Sequence, residues 1–113
     1  MSKYANAEWQ GAKEGKGIIS TETKTLNNAH FTFATRFGDA KDGTNPEELI
    51  AAAHAGCFSM KFAIVLSEAG FTADKIETKC DITFGAGAIS KSHLTVKASV
   101  PGPTLETSSW ANS

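Results

Sequence analysis

One segment governs what this chain can fold into: a long apolar stretch with a helix start at one end and a helix stop at the other. Asn45-Pro46-Glu47-Glu48 places a capping residue, a proline at the first helical position and two acids in the first turn. Leu49, Ala53, Cys57, Met60 and Ile64 then recur at spacings of three and four, which predicts one apolar helix face. Ile50, Phe58, Phe62 and Val65 widen that surface, so the helix is expected to be buried on more than one side. Gly70 supplies the stop. A helix over residues 46–69 runs ~36 Å at 1.5 Å per residue. In a chain of 113 residues it must be the central element.

The segments on either side read as β-structure. Residues 4–9 predict a short strand, residues 11–17 a turn-rich connection, and residues 18–26 an extended segment rich in threonine and isoleucine. Asn27-Asn28 offers a turn, because asparagine tolerates left-handed backbone angles. Phe31, Phe33, Thr35 and Phe37 alternate with Thr32, Ala34 and Arg36, which predicts a strand with phenylalanines on one face and Arg36 on the other. Residues 38–44 read as a polar loop. Beyond the helix, Ile76, Thr78, Cys80, Ile82 and Phe84 alternate with charged residues, predicting a strand with one wet face. Gly85-Ala86-Gly87 reads as a turn. Leu94, Val96, Ala98 and Val100 alternate again, up to a stop at Pro101-Gly102-Pro103. Without repeat or linker, the chain reads as one α+β domain over residues 1–113.

Composition narrows the function. A net charge of −1 recommends neither nucleic acid nor an acidic membrane as partner. No apolar stretch is judged to approach the ~18 residues that span a bilayer, and the first residues lack the apolar core of a secretory signal. A cytoplasmic location is expected. Two cysteines, Cys57 and Cys80, are too few for a disulfide scaffold. Each is either a small buried hydrophobe or a reactive thiol.

Cys57 is the leading chemical candidate, in the run His54-Ala55-Gly56-Cys57-Phe58. A thiolate needs a nearby positive charge or a helix N-terminus to hold it. Arg36 is the only arginine in the chain, and its guanidinium can bind a carboxylate with one edge and face a thiolate with the other. A solvated arginine on a strand's outer face is the competing interpretation. Glu47 or Glu48 could hold Arg36, although acids in a first turn also serve the helix dipole. Glu47 and Cys57 lie ~15 Å apart along a straight helix and ~80° apart around it. One arginine therefore reaches both only if the helix breaks, most simply at Gly56, or if a second subunit contributes. Cys80, in register with Ile76, Ile82 and Phe84, reads as core. His54 stands one helical turn before Cys57. His30, His54 and His93 show no ligand-pair spacing, and neither a metal site nor a cofactor is expected.

Thr35-Arg36-Phe37, the run from Gly43 through Asn45-Pro46-Glu47-Glu48 and His54-Ala55-Gly56-Cys57-Phe58-Ser59 to Met60, then Glu68-Ala69-Gly70-Phe71 and Val100-Pro101-Gly102 together resemble the OsmC family, osmotically inducible protein C. The resemblance covers nearly the whole chain and reverses the weighing of Cys57. It implies a cysteine-dependent peroxidase of osmotic and oxidative stress defence, acting on organic hydroperoxides. It also implies kinship with the organic hydroperoxide resistance proteins, whose reductant is a dihydrolipoyl group. By the same resemblance Cys57 is the peroxidatic cysteine, Arg36 stabilises its thiolate and Glu47 orients the arginine. Phe58 and Met60 would offer an apolar wall to the substrate. The implied fold is an intertwined homodimer, with long helices inside curved sheets and active sites at the subunit boundary. The family's second, resolving cysteine lies in a Cys-Pro motif, and no Cys-Pro occurs in this chain. Thr104-Leu105-Glu106 and Trp110-Ala111-Asn112 resemble the opening of the helix that carries it, so the domain is expected to be incomplete at its C-terminus. Two functions are then open: a peroxidase complete in its first half-reaction, or a non-catalytic remnant or single-thiol sensor.

Overall fold

The computed structural model describes residues 1–85, 88–100 and 104–111, the last of these for the backbone alone. They form two compact units, Met1–Pro46 and Glu47–Ser113.

The first unit opens with an antiparallel sheet of β1 (Ala5–Gln10), β2 (Lys16–Thr21) and β3 (Ala29–Phe31), in that order. Trp9 lies opposite Gly17, and Gly17 opposite Phe31. A Cβ on Gly17 would collide with both the Phe31 and the Trp9 rings, so the absent side chain is what lets the two rings meet across β2. The expected turn at Asn27-Asn28 is present, with Asn28 in the left-handed region at φ 55°.

The strand expected over Phe31–Phe37 is not what forms. It ends at Phe31, and Phe33–Phe37 make a short helix, α1. Thr32 is its N-cap: the Thr32 hydroxyl accepts from the Thr35 N–H at 3.2 Å, and the Thr35 hydroxyl accepts from the Thr32 N–H at 2.8 Å. That reciprocal pair satisfies two donors that a helix start otherwise leaves bare. Phe33 and Phe37, two positions apart in the strand pattern, are also four apart in sequence, so a helix brings them together equally well. Their ring centroids are 5.5 Å apart. Arg36 consequently sits in the last turn of α1 with its guanidinium carbon 4.8 Å from the Phe37 ring centre, against the aromatic face rather than opposite it. Asn45 reaches back from the following loop, its Nδ2 donating to the Thr35 carbonyl at 2.9 Å.

The second unit pairs α2, whose span is Pro46–Glu68, with an antiparallel sheet of β4 (Lys75–Gly85), β5 (Ala88–Ser99) and β6 (Thr104–Ala111). The helix ends as expected. Gly70 takes φ 90°, its N–H donates to the Ser67 carbonyl and the Phe71 N–H to the Leu66 carbonyl, which together form a Schellman cap. On β4, Ile76, Thr78, Cys80 and Ile82 face the same side as Ala98, Val96, Leu94 and Ser92 of β5, their register partners. Leu94, Val96 and Ala98 form the tightest core, each 2% exposed or less. The turn expected at Gly85-Ala86-Gly87 and the stop at Pro101-Gly102-Pro103 lie outside the described residues, apart from Gly85.

α2 rests on this sheet through two side chains: His54 Nδ1 lies 2.7 Å from Ser92 Oγ, and Ser59 Oγ 2.7 Å from Thr78 Oγ1. The stripe turned to the sheet therefore runs through His54, Ala55, Phe58, Ser59 and Phe62. It is not the stripe of Leu49, Ala53, Cys57, Met60 and Ile64 that spacing selected. Cys57 is exposed, as are Ile50, Met60, Ile64 and Val65. The expected burial on several sides is absent, and Glu47 is the only buried residue of α2. The helix is apolar around nearly its whole girth, so spacing alone could not select the covered side. An 18-residue window of α2 averages a hydropathy of 1.8 with no more than two charged residues. By length and composition it could cross a bilayer, contrary to the sequence expectation, and the core helix of a soluble protein shares that length and composition.

The C-terminal expectation also changes. Thr104–Ala111 is not a helix opening but a strand, paired antiparallel with β5 from Ser99↔Thr104 to Ser92↔Ala111. Its threonines and serines suit an extended chain, and its backbone satisfies the outer edge of β5.

Candidate thiol site

Cys57 lies at mid-length on α2, a free and exposed thiol. The helix runs without interruption through Gly56, so no restarted helix presents its N-terminus to the sulfur, contrary to one of the two routes by which the site could have been assembled. A Cβ at Gly56 would meet nothing within 4 Å. Met60 and Ile64 follow Cys57 on the same exposed face. Phe58 turns towards the sheet, half-buried and stacked on Phe62 at 6.0 Å between centroids. Of the two residues expected to form a substrate wall, only Met60 therefore shares the face of the thiol.

Glu47 and Glu48 both occupy the first turn of α2, but only Glu47 is buried, at 7% exposure. A carboxylate in that position is stable only with a hydrogen-bonding or charged partner. Along the continuous helix it remains ~15 Å from Cys57.

Arg36 belongs to the first unit and lines a cavity of about 350 Å³ there, with Trp9, Phe31, Thr32, Phe33 and Phe37. Trp9 packs on Phe31 at 5.4 Å and edge-on against Phe33 at 5.9 Å. The volume lies within the range of small-molecule sites, and one cation on an aromatic wall would orient a ligand that is mostly apolar. The sequence showed these phenylalanines but assigned them to the face away from Arg36; the capping pair Thr32 and Thr35 was the signal that a helix would gather them around it. Among the described residues, no group of three or more histidine, cysteine, aspartate or glutamate side chains could hold a metal ion.

Residues 38–109 match a protein-family model described as OsmC-like protein. That stretch contains both Glu47 and Cys57 and is more than half of the chain. The chain belongs to the OsmC family. It is 49% identical over 107 residues to a protein named peroxiredoxin OsmC from Escherichia coli (strain K12), an alignment covering 90% of this chain and 74% of the relative. The same figures hold for the peroxiredoxin OsmC of Shigella flexneri. The antiparallel sheets and long helix agree with an OsmC-like α+β fold, and the relatives' name supports a peroxidase-type function in the family.

Proposed function

We propose that this OsmC-family chain is a thiol-dependent peroxidase that reduces organic hydroperoxides at Cys57. The observation that carries the reading is the 49% identity to peroxiredoxin OsmC, together with an exposed thiol on the apolar face of α2. The Cys57 thiolate attacks the terminal peroxide oxygen and the O–O bond breaks; the sulfur becomes a sulfenic acid, and the departing alkoxide takes a proton from water and leaves as the alcohol. Arg36 stabilises the thiolate and Glu47, the buried acid of its pair, orients the guanidinium. The Arg36 cavity, with its aromatic wall, accounts for a preference for organic substrates better than Phe58 does; Met60 adds apolar surface beside the sulfur.

The uninterrupted α2 and the apolar face around Cys57 support a homodimer in which a second subunit helps bring these groups together. Both units then act as parts of one OsmC-like domain. Within the chain Cys80 is poorly placed to resolve the sulfenic acid. It lies on the sheet side of α2, whereas Cys57 points ~130° away from the direction midway between His54 and Ser59. Reduction is assigned, by the family resemblance, to a dithiol from solution of lipoyl type, and the protein to the cytoplasm.

The test is to treat the purified protein with cumene hydroperoxide, trap sulfenic acid with dimedone and read the intact mass. One adduct is expected, and Cys57→Ser should remove it. No adduct in the wild type, or one that survives Cys57→Ser at equal rate, defeats the assignment.

A further inference from the structure

The sheet-facing stripe of α2 carries a polar cluster that the Cys57 chemistry does not use. Ser92 Oγ stands between two partners, His54 Nδ1 at 2.7 Å and Cys80 Sγ at 3.3 Å. The sulfur is itself 3.7 Å from His54 Nδ1. Ser92 is 1% exposed, while His54 and Cys80 are half-buried. The sulfur is thus partly accessible, and its register partner Leu94 and Ile82, two positions along β4, are apolar.

One proton arrangement makes a relay of this geometry. With the His54 proton on Nε2, the Ser92 hydroxyl donates to Nδ1, and the serine oxygen is left to accept from the Cys80 thiol. Sulfur, hydroxyl and imidazole then form a short relay ending on a base. A cysteine that only fills space needs neither.

We propose that Cys80 is a second oxidisable thiol, with His54 as its general base acting through Ser92, and that its oxidant is hydrogen peroxide rather than a bulky organic hydroperoxide. The thiol proton passes by way of Ser92 to His54 Nδ1 as the sulfur attacks one peroxide oxygen. The O–O bond breaks, and the departing hydroxide takes the proton from His54 and leaves as water. The sulfur is oxidised by two electrons to sulfenic acid and the peroxide is reduced by two. A half-buried sulfur beside α2 is reached more readily by a small oxidant than by a bulky one. Cys80 thereby opposes Cys57 in selectivity, and it shares no residue with that site, so the inference stands apart from the peroxidase reading.

The full chain carrying Cys57→Ser isolates Cys80. Hydrogen peroxide should give one dimedone adduct on Cys80, at a rate above that for cumene hydroperoxide at equal concentration. Adding His54→Asn, which keeps a polar atom near the Nδ1 position without a base, should slow the reaction at least about tenfold; Ser92→Ala should slow it less. No adduct on Cys80, an unchanged rate in His54→Asn protein of unaltered circular dichroism, or faster reaction with cumene hydroperoxide overturns the proposal. The last comparison needs no change at the relay, so it decides even if the His54 variant misfolds. Cys80→Ala in turn reads Cys57 alone: failure there defeats the peroxidase reading and leaves this one standing.

Discussion

An apolar helix with one side on a sheet and the other in water calls for a cover, and replacing Ile64 by glutamate tests which cover it takes. Ile50, Met60, Ile64 and Val65 are 41%, 71%, 51% and 47% exposed. Their uncovered portions amount to about two whole side chains, and at ~1.5–3 kcal/mol per side chain, covering them yields ~3–6 kcal/mol per protomer. A symmetric pair doubles this to ~6–12 kcal/mol, the same size as the ~4–15 kcal/mol that association costs. A dimer held by this face is therefore finely balanced, and one residue should tip it. Half-exposed Ile64 contributes ~1 kcal/mol per copy. Ile64→Glu removes that contribution twice per dimer, ~2 kcal/mol, and sets a charge in the interface besides, so Kd should rise at least about 30-fold. Ile64 faces solvent in the isolated chain, so the monomer should keep its fold and its circular dichroism. Sedimentation equilibrium over a concentration series reads both forms. A wild-type protein that stays monomeric throughout, or an Ile64→Glu protein with unchanged Kd, would refute the reasoning. So would partitioning of the wild type into neutral lipid vesicles in place of self-association, since α2 also meets the length and hydropathy of a membrane span.

Arg36→Lys should lower the rate of Cys57 oxidation by about tenfold, because an ammonium cannot make two-sided planar contacts; an unchanged rate at neutral pH removes Arg36 from the site. Gly17→Ala places a methyl group against the Phe31 and Trp9 rings. It should cost ~1–3 kcal/mol in urea denaturation and slow oxidation by cumene hydroperoxide more than by hydrogen peroxide; equal slowing would separate the aromatic cavity from substrate choice. Gly70→Ala meets open space but must hold φ near 90°, so its cost of ~1–2 kcal/mol should be conformational alone. A variant as stable as wild type would show that the Schellman cap is dispensable.

Where one face of an element is wet, the sequence disclosed it. β4 alternates between exposed and half-buried from Lys75 to Gly85, and the alternation of residues 76–84 placed it within a residue at either end. The start and stop of α2 were legible because Pro46 and Gly70 constrain the backbone directly. Two other features were hidden for identifiable reasons. Over Phe31–Phe37 the phenylalanines satisfy both a two-residue and a four-residue repeat, and the choice fell to the hydroxyls of Thr32 and Thr35, which close a cap rather than extend a ladder. At Thr104–Ala111 the segment acquires its structure from β5, whose free edge no local pattern reveals.

The orientation of α2 explains why the candidate site was only partly legible. In a helix with a wet face the apolar residues mark the buried side, and counting them works. α2 is apolar nearly all round, so the count selected Leu49, Ala53, Cys57, Met60 and Ile64, the side that the sheet leaves open. The informative residues were the few polar ones. A histidine and a serine in such a helix are stable against a sheet only where that sheet offers partners, and Ser92 and Thr78 are the residues that offer them. Once His54 and Ser59 are fixed to the sheet, the helical repeat turns Cys57 outward. The face that carries the thiol is thus set by two hydrogen bonds on the opposite side of the helix, and the same turn places Cys80 beside His54.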